Sequence, residues 1–324
     1  MERTKGALKE RKRMAKLIIL CGLPGSGKSY YAKEFKAIDD VFYEGNTVIH
    51  SSDAIREELF GDPSFQGDNA KVFELMHNRV REDLKAGKTV IYDATNITRK
   101  ARRGAIKLAH PTNDTIECHV IWAEPEECLR RDSMRDRKVG PEVIDKMLRR
   151  WQSPWLDEGF DEVKVILNQI DFDQVKYIAS KGSDLHIAHD NPHHTLGVWE
   201  HCVEAHANII ERAVKDNIVK YDEYNKLATA AYWHDIGKPY TKFFKPGEDT
   251  AHYYDHHCVG GYLSYGLFLR PQFMSDEEIS NICLISWVIT NHMEPFFNSS
   301  YYKTLYPEWK WYIDTIHEAD VNAH

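Results

Sequence analysis

The sequence predicts an α/β half built on a parallel sheet, followed by an all-α half, and three observations predict it. Over residues 16–168, short apolar strand-like runs alternate with helical segments, the pattern of a parallel sheet covered by helices. Over residues 169–324 the apolar residues instead recur at spacings of three and four, as on amphipathic helices. Composition shifts at the same place. Residues 1–168 carry 30 Lys and Arg against 28 Asp and Glu, whereas residues 169–324 carry 12 against 22, with 13 of the 17 histidines. A chain of 324 residues has room for two domains, each with its own core, and the expected boundary falls near residues 168–175.

Taken in order, residues 1–15 are basic and read as a tail, solvated or touching a polyanion. The "LIIL" that follows is too short for a signal core and runs into a glycine-rich loop rather than a cleavage site. No apolar run approaches the length of a membrane span. Six cysteines without a CxxC pair fit reduced thiols in a cytoplasmic protein. "KLIILC" (16–21) is the first strand and "SYYAKEFKAI" the helix after the loop. "NTVIHSS", "KTVIYDA", "IECHVIWA" and "DEVKVIL" supply four more strands, with helices over 69–86, 99–109 and 141–151. Beyond them "VWEHCVEAHANIIERAV", "YNKLATAAYWHDI", "HHCVGGYLSYGLFL", "DEEISNICLISWVITNH" and "EWKWYIDTIHEADV" each read as an amphipathic helix. "DFDQV" (171–175) fits the D-x-D-x-[TV] pattern of aspartyl-phosphate phosphatases. No sheet-forming sequence follows it, so it reads as a linker entering a helix.

Gly22-Leu-Pro-Gly-Ser-Gly-Lys28-Ser29 satisfies G-x-x-x-x-G-K-[ST] between a predicted strand and helix. Gly22, Gly25, Ser26 and Gly27 would turn backbone N–H groups onto phosphates at a helix N-terminus. Lys28 would bridge the terminal phosphates of ATP, and the Ser29 hydroxyl would hold Mg²⁺. Asp53, at the end of the next strand, sits where open α/β sheets bind ligands and can take the proton of an attacking hydroxyl; it would serve equally as a helix N-cap. Arg56 lies one turn on, suited to an acceptor phosphate. Asp93 and Asn96 in "VIYDATN" end the following strand, where a metal or the acceptor would lie. "CLRRDSMRDRK" (128–138) reads as one helix placing Arg130 with Arg137, and Arg131 with Arg135, on shared faces. Such a helix can close over a triphosphate, or be a solvated helix threaded with Asp132 and Asp136.

In the second half, His201, the His234-Asp235 pair and Asp320 come from separate predicted helices. Imidazole and carboxylate suit divalent Mn, Fe, Co, Ni or Zn, and a metal with open positions activates water against a phosphate ester. Gly and Pro in "HDIGKP" end the helix where the pair must point inward. Asp320 has the plainer alternative of a helix-surface acid.

Two resemblances follow from these motifs. Residues 16–168 resemble the kinase domain of bacteriophage 5′-hydroxyl polynucleotide kinases and their P-loop relatives, through the glycine loop, Asp53-x-x-Arg56, "DATN" and the Arg-rich lid. That likeness makes Asp53 the general base, Arg56 an acceptor-phosphate contact, and Arg130 or Arg131 with Arg135 the lid contacts to ATP. Residues 169–324 are similar to the HD phosphohydrolase superfamily, in the branch attached to CCA-adding enzymes and bacterial end-healing phosphatases. "NPHHTLGVWEH", "HDIGKP", "HYYDHHCVGG", "NHMEPF" and "EAD" occur in that order. The likeness makes His201, His234, Asp235 and Asp320 metal ligands, Lys238 a phosphate contact, and His256 and His292 candidates for a second metal or the scissile phosphate. His186, His189, His193 and His194 either bind substrate phosphate or are loop residues. Together the resemblances imply an RNA end-healing enzyme: a 5′-hydroxyl polynucleotide kinase fused to a phosphatase of 2′,3′-cyclic, 2′- or 3′-phosphate ends. It would work with an RNA ligase on single-stranded or nicked RNA ends, with DNA ends and a homo-oligomer left open. The alternatives are a nucleoside or small-metabolite kinase fused to an HD nucleotidase, and a regulatory protein whose second half binds a nucleotide signal without turnover.

Overall fold

The computed structural model describes residues 15–43, 45–63, 65, 67–110, 114–191, 195–217 and 219–324. The expected basic tail, except Ala15, lies outside the described residues, as do His193 and His194.

The first half alternates as its sequence predicts, through β1 (Lys16–Cys21), α1 (Lys28–Phe42), β2 (Thr47–Ser51), α2 (Ser52–Phe60), α3 (Asn69–Lys85), β3 (Thr89–Asp93), α4 (Arg99–Ile106), β4 (Thr115–Trp122), α5 (Pro125–Ser133), α6 (Pro141–Leu148) and β5 (Glu162–Leu167). The strands form one parallel sheet of order β2-β3-β1-β4-β5. Leu17 to Cys21 are fully buried because β1 is central and covered on both faces. The chain leaves β1 toward β2 on one side and returns past it to β4 on the other. The carboxyl ends of β1 and β3 thus meet at a switch in connection direction, where such sheets bind ligands.

The second half runs α7 (Gln174–Asp184), α8 (Val198–Lys215), α9 (Tyr221–Trp233), α10 (Lys238–Thr241), β6 (Phe243–Phe244), β7 (Ala251–His252), α11 (His256–Phe268), α12 (Asp276–Asn291), α13 (Glu294–Phe297), α14 (Ser300–Thr304) and α15 (Pro307–Val321). Asp173 of the "DFDQV" stretch caps α7, accepting from the Lys176 N–H at 3.0 Å. Two expectations are corrected here. The half is not wholly helical, since β6 and β7 pair as a short antiparallel hairpin. And α11 and α12 are not simply amphipathic: nearly every residue of α11, and α12 from Ile282 on, is buried. The reason is their position, α11 against α7 and α12, and α12 against β5.

That packing also brings buried residues of the two halves into one cluster. The main buried cluster runs from Leu17 and Val90 through Trp122 and Trp151 to Tyr262, Trp287 and Ile316. The fully buried Trp122 indole donates to the Tyr262 carbonyl at 3.0 Å, and the Tyr262 hydroxyl donates to the Ala123 carbonyl at 2.8 Å. Arg99 reaches from α4 to the Asn291 side chain and lies 3.5 Å from the Tyr301 ring centre.

Candidate functional site

The turn after β1 is built from backbone shape. Gly27 has φ +93°, in the left-handed region, and a Cβ there would lie 2.0 Å from the Asn168 amide nitrogen. Only glycine fits. Lys28 and Ser29 open α1, so the loop runs directly into a helix N-terminus, the arrangement that suits a bound phosphate. The Lys28 amine donates to the Gly22 and Leu23 carbonyls at 3.0 and 2.8 Å, closing the loop on itself. Burial holds that amine below its ordinary value, against the pull of the Asp93 carboxylate. Ser29 donates to Asp93 at 2.7 Å. A serine hydroxyl and a carboxylate at the loop's mouth form the pair that holds Mg²⁺ in nucleotide-binding loops.

Asn96 does not stand where an acceptor contact was expected. It is buried with φ +50°, and its amide donates to the Leu20 carbonyl at 2.8 Å. Asp53 is the second residue of α2, behind Ser51 at the cap, so it is not the N-cap. Its carboxylate accepts from Arg56 at 2.7 Å and pairs with Arg137 at 3.1 Å. The buried Arg56 fork also donates to the Asn69 side chain at 2.9 Å.

The single lid helix is also corrected. It stops at Ser133, because the buried Asp132 carboxylate accepts from the Val139 and Gly140 N–H groups at 2.9–3.0 Å and folds the chain back. Arg130 and Arg131 therefore share no helical face with Arg137 and Arg135. Arg130 is tied to Glu127 in solvent. Arg131 lies over the phosphate loop, donating to the Gly25 carbonyl at 3.4 Å and the Asn168 carbonyl at 2.8 Å. Arg135 is near enough to Lys28 for its charge to depress the amine further.

In the second half, four imidazoles turn the same way. The Nδ1 atoms of His201, His234, His256 and His292 lie 3.0, 2.7, 2.8 and 2.7 Å from the carbonyls of Ala323, Ala231, Tyr253 and Ile289. A carbonyl only accepts, so each Nδ1 carries its proton and each Nε2 faces inward, the arrangement of metal-bound histidine. His201 Nε2 lies 3.3 Å from His234 Nε2, and His256 Nε2 lies 3.2 Å from His292 Nε2. Asp320 reaches both of the first pair, at 2.8 and 3.3 Å. Asp235 spans the two pairs, with Oδ2 3.4 Å from His234 and Oδ1 3.4 Å from His256.

Two donor sets, His201/His234/Asp320 and Asp235/His256/His292, thus have ligand atoms within 4.8 Å of one another. The set fits a first-row divalent ion. Burial pushes the Asp235 and Asp320 carboxyls up, yet the neighbouring imidazoles hold both well below the ordinary range, with Lys238 adding to the effect at Asp235. Burial opposes charge on His234, but the two carboxylates hold its imidazole well above the ordinary range. Burial and the adjoining rings push His256 well down and His292 to about 4. Gly237 permits this convergence, since a Cβ there would lie 2.0 Å from the His256 carbonyl.

The structure adds residues whose part the sequence did not show. His189 is buried, with Nδ1 2.7 Å from the Leu196 carbonyl and Nε2 accepting from Lys238 at 2.9 Å; Lys238 in turn pairs with Asp235 at 2.6 Å. Arg137 meets Asp53, and Asn168 donates to the Ser26 carbonyl at 3.0 Å. The only signal for Asn168 was its place directly after a strand. His186 packs on Trp199, its ring centre 4.9 Å away, apart from these contacts.

The N-terminal half is therefore a P-loop kinase-like domain, a scaffold that implies ATP and Mg²⁺, joined to a helical C-terminal region. Residues 17–154 match the family model described as AAA domain. The chain is 26% identical over 168 residues to L-seryl-tRNA(Sec) kinase of Methanococcus maripaludis, covering 49% of this chain and 62% of that protein, less than two thirds of its length. It is 26% identical over 180 residues to a UPF0200 protein of Pyrococcus furiosus, covering 49% of this chain and 91% of that one. Among solved structures, a chain of the Pnkp1/Rnl/Hen1 RNA repair complex is 25% identical, with a TM-score of 0.38 over 45% of this chain and 46% of that chain. No described helix is long and apolar enough to cross a membrane.

Proposed function

We propose a bifunctional nucleic-acid end-healing enzyme, which phosphorylates 5′-hydroxyl ends from ATP and removes 2′,3′-cyclic, 2′- or 3′-phosphates at a divalent-metal centre of the HD type. The observation that carries it is the inward-facing set of four Nδ1-anchored imidazoles with Asp235 and Asp320, in the same chain as a phosphate loop with its Ser29–Asp93 pair. Adding and removing phosphate on one chain suits broken RNA, whose ends carry a 5′-hydroxyl and a 2′,3′-cyclic phosphate, the reverse of what a ligase joins. The likeness to a kinase named for L-seryl-tRNA(Sec) supports an acceptor hydroxyl carried on RNA.

In the kinase site, Asp53 takes the proton of the acceptor hydroxyl as the hydroxyl oxygen bonds to the γ-phosphorus and the bond from that phosphorus to the β–γ bridging oxygen breaks, releasing ADP. Arg56 and Arg137 hold the carboxylate aimed. Lys28 leaves the loop carbonyls for the β- and γ-phosphates, and Arg131 and Arg135 neutralise charge as it develops. In the second site, His201, His234, Asp235 and Asp320 would hold the ion, with His256 and His292 completing a second position. A bound divalent ion lowers the pKa of water and polarises a phosphoryl oxygen. Lys238 binds a non-bridging oxygen of the phosphate beside Asp235.

The test offers an oligoribonucleotide with a 5′-hydroxyl and a 2′,3′-cyclic end, ATP, Mg²⁺, and Mn²⁺ or Ni²⁺, and maps both termini. Lys28→Ala should lose only the 5′ reaction and Asp235→Ala only the 3′ reaction. Phosphorylation of free nucleosides alone would move the first site to a small-metabolite kinase. A 3′ reaction indifferent to metal and to Asp235→Ala would sink the second.

A further inference from the structure

Beside the metal centre the chain exposes aromatic rings that none of the chemistry above uses. Phe243 and His252 are cross-strand partners of the β6–β7 hairpin, with ring centres 5.4 Å apart. Tyr254, two residues on, lies 5.5 Å from His252 with its ring tilted by only 29°, and 5.4 Å from Phe243. Phe243 is 38% exposed and Tyr254 56%. The hairpin is anchored to the loop that carries His189: the Ala251 N–H donates to the Asp190 carbonyl at 2.7 Å, and Lys242 donates to the Ala188 carbonyl at 2.7 Å. Tyr253 completes the link, its hydroxyl donating to the His189 carbonyl and its ring centre 5.5 Å from the Lys238 ammonium. Two residues after Tyr254 comes His256. A further ring, Phe297, is 55% exposed and lies 5.5 Å from His257.

We infer that the Phe243–His252–Tyr254 platform stacks the terminal bases of a single-stranded polynucleotide whose phosphorylated end lies at the metal centre. The inference rests on the hydrolytic reading of that centre. Three arguments select bases as the occupant. The platform is continuous, through Tyr253, with the lysine that faces the phosphate. Every nucleobase has a flat π-face, and stacking on exposed aromatic rings is how single strands are held without sequence readout. The third argument is charge. Residues 169–324 hold 22 acidic against 12 basic side chains, so this half is ill suited to follow a phosphate backbone. Its grip on an end then comes from bases, with a shallow dependence on salt.

The experiment uses the full chain with Mn²⁺ and a short single-stranded RNA ending in 3′-phosphate, with 2-aminopurine as its last base. Binding should quench the 2-aminopurine. The wild type should cleave the base-bearing end about 10-fold better in kcat/KM than the same end with an abasic last nucleotide. Phe243→Ala with Tyr254→Ala should abolish both the quench and that preference, and Tyr254→Phe should retain them. An unquenched base, or equal rates on abasic and base-bearing ends, would overturn the platform and favour a protein ligand for it; a steep salt slope would overturn it in favour of backbone phosphate contacts. Hydrolysis of bis(4-nitrophenyl) phosphate by wild type reports separately on the metal centre. Its absence would sink the hydrolytic reading, while the quench still decides the platform.

Discussion

Asp157 shows how a single side chain sets a pH dependence. Burial raises its carboxyl from 3.8 to about 6, with Glu158 adding and the Tyr301 hydrogen bond, Arg99 and Arg102 opposing. Among the described residues its Oδ1 has no hydrogen-bond partner. The folded state therefore holds this proton more tightly than the unfolded chain, and stability falls as pH rises from about 4 to about 6. Asp157→Asn should remove that slope and stabilise the fold at pH 7 by about 2 kcal/mol, discounted for partial exposure, but not at pH 4. Denaturant midpoints at the two pH values check this. His189 acts through its neighbour: it fixes the Lys238 ammonium beside Asp235. His189→Ala should lower kcat for 3′-end hydrolysis about 10-fold with metal content unchanged, and His189→Gln, which keeps an acceptor, should recover part of it. Metal analysis alongside the kinetics separates this from a collapsed site.

Among elements, the break after α5 decides where the lid arginines lie. Residues 128–138 carry helix-forming residues throughout, and their spacing made one helix the natural reading. Asp132 wins because a buried carboxylate receiving N–H groups from Val139 and Gly140 is worth more than another helical turn in solvent. Asp132→Ala should loosen residues 134–140, lower kinase turnover at least about 10-fold, and leave 3′-end hydrolysis untouched. Assaying both reactions on one preparation tells this from general unfolding. At α11 and α12 the sequence pattern misled in the other direction. Apolar spacing at three and four says that a helix forms, but burial on nearly all sides depends on what packs against it.

For the whole molecule, the shared core makes cooperativity the central expectation. Trp122 belongs to the sheet yet packs edge-on to Phe172 and Tyr177 and bonds to Tyr262. Trp122→Ala should cost about 3–5 kcal/mol and weaken both activities together, with thermal unfolding remaining a single transition. Cutting the chain after residue 168 should leave an aggregating fragment, since β5 and the Trp122 face lose α11 and α12. A soluble fragment that binds ATP would refute the shared core. Divalent ions should raise the melting temperature of the intact chain and EDTA should lower it.

Sequence alone determined the order of the sheet strands and of the longer helices, the phosphate loop and the six imidazole and carboxylate candidates of the second centre, because periodicity and glycine-bounded motifs are local properties. It placed Lys28, Ser29, Asp53, His234 and Asp235 at element ends, where chain geometry fixes a side chain within a few residues. Only tertiary structure decided the rest. Asp93 faces Ser29, Asn96 turns to the backbone, Arg137 meets Asp53, and His189 backs Lys238. Each of those depends on which distant segment lies opposite, and a merged core at Trp122 and Tyr262 follows from contacts about 140 residues apart in the chain, which no local pattern records.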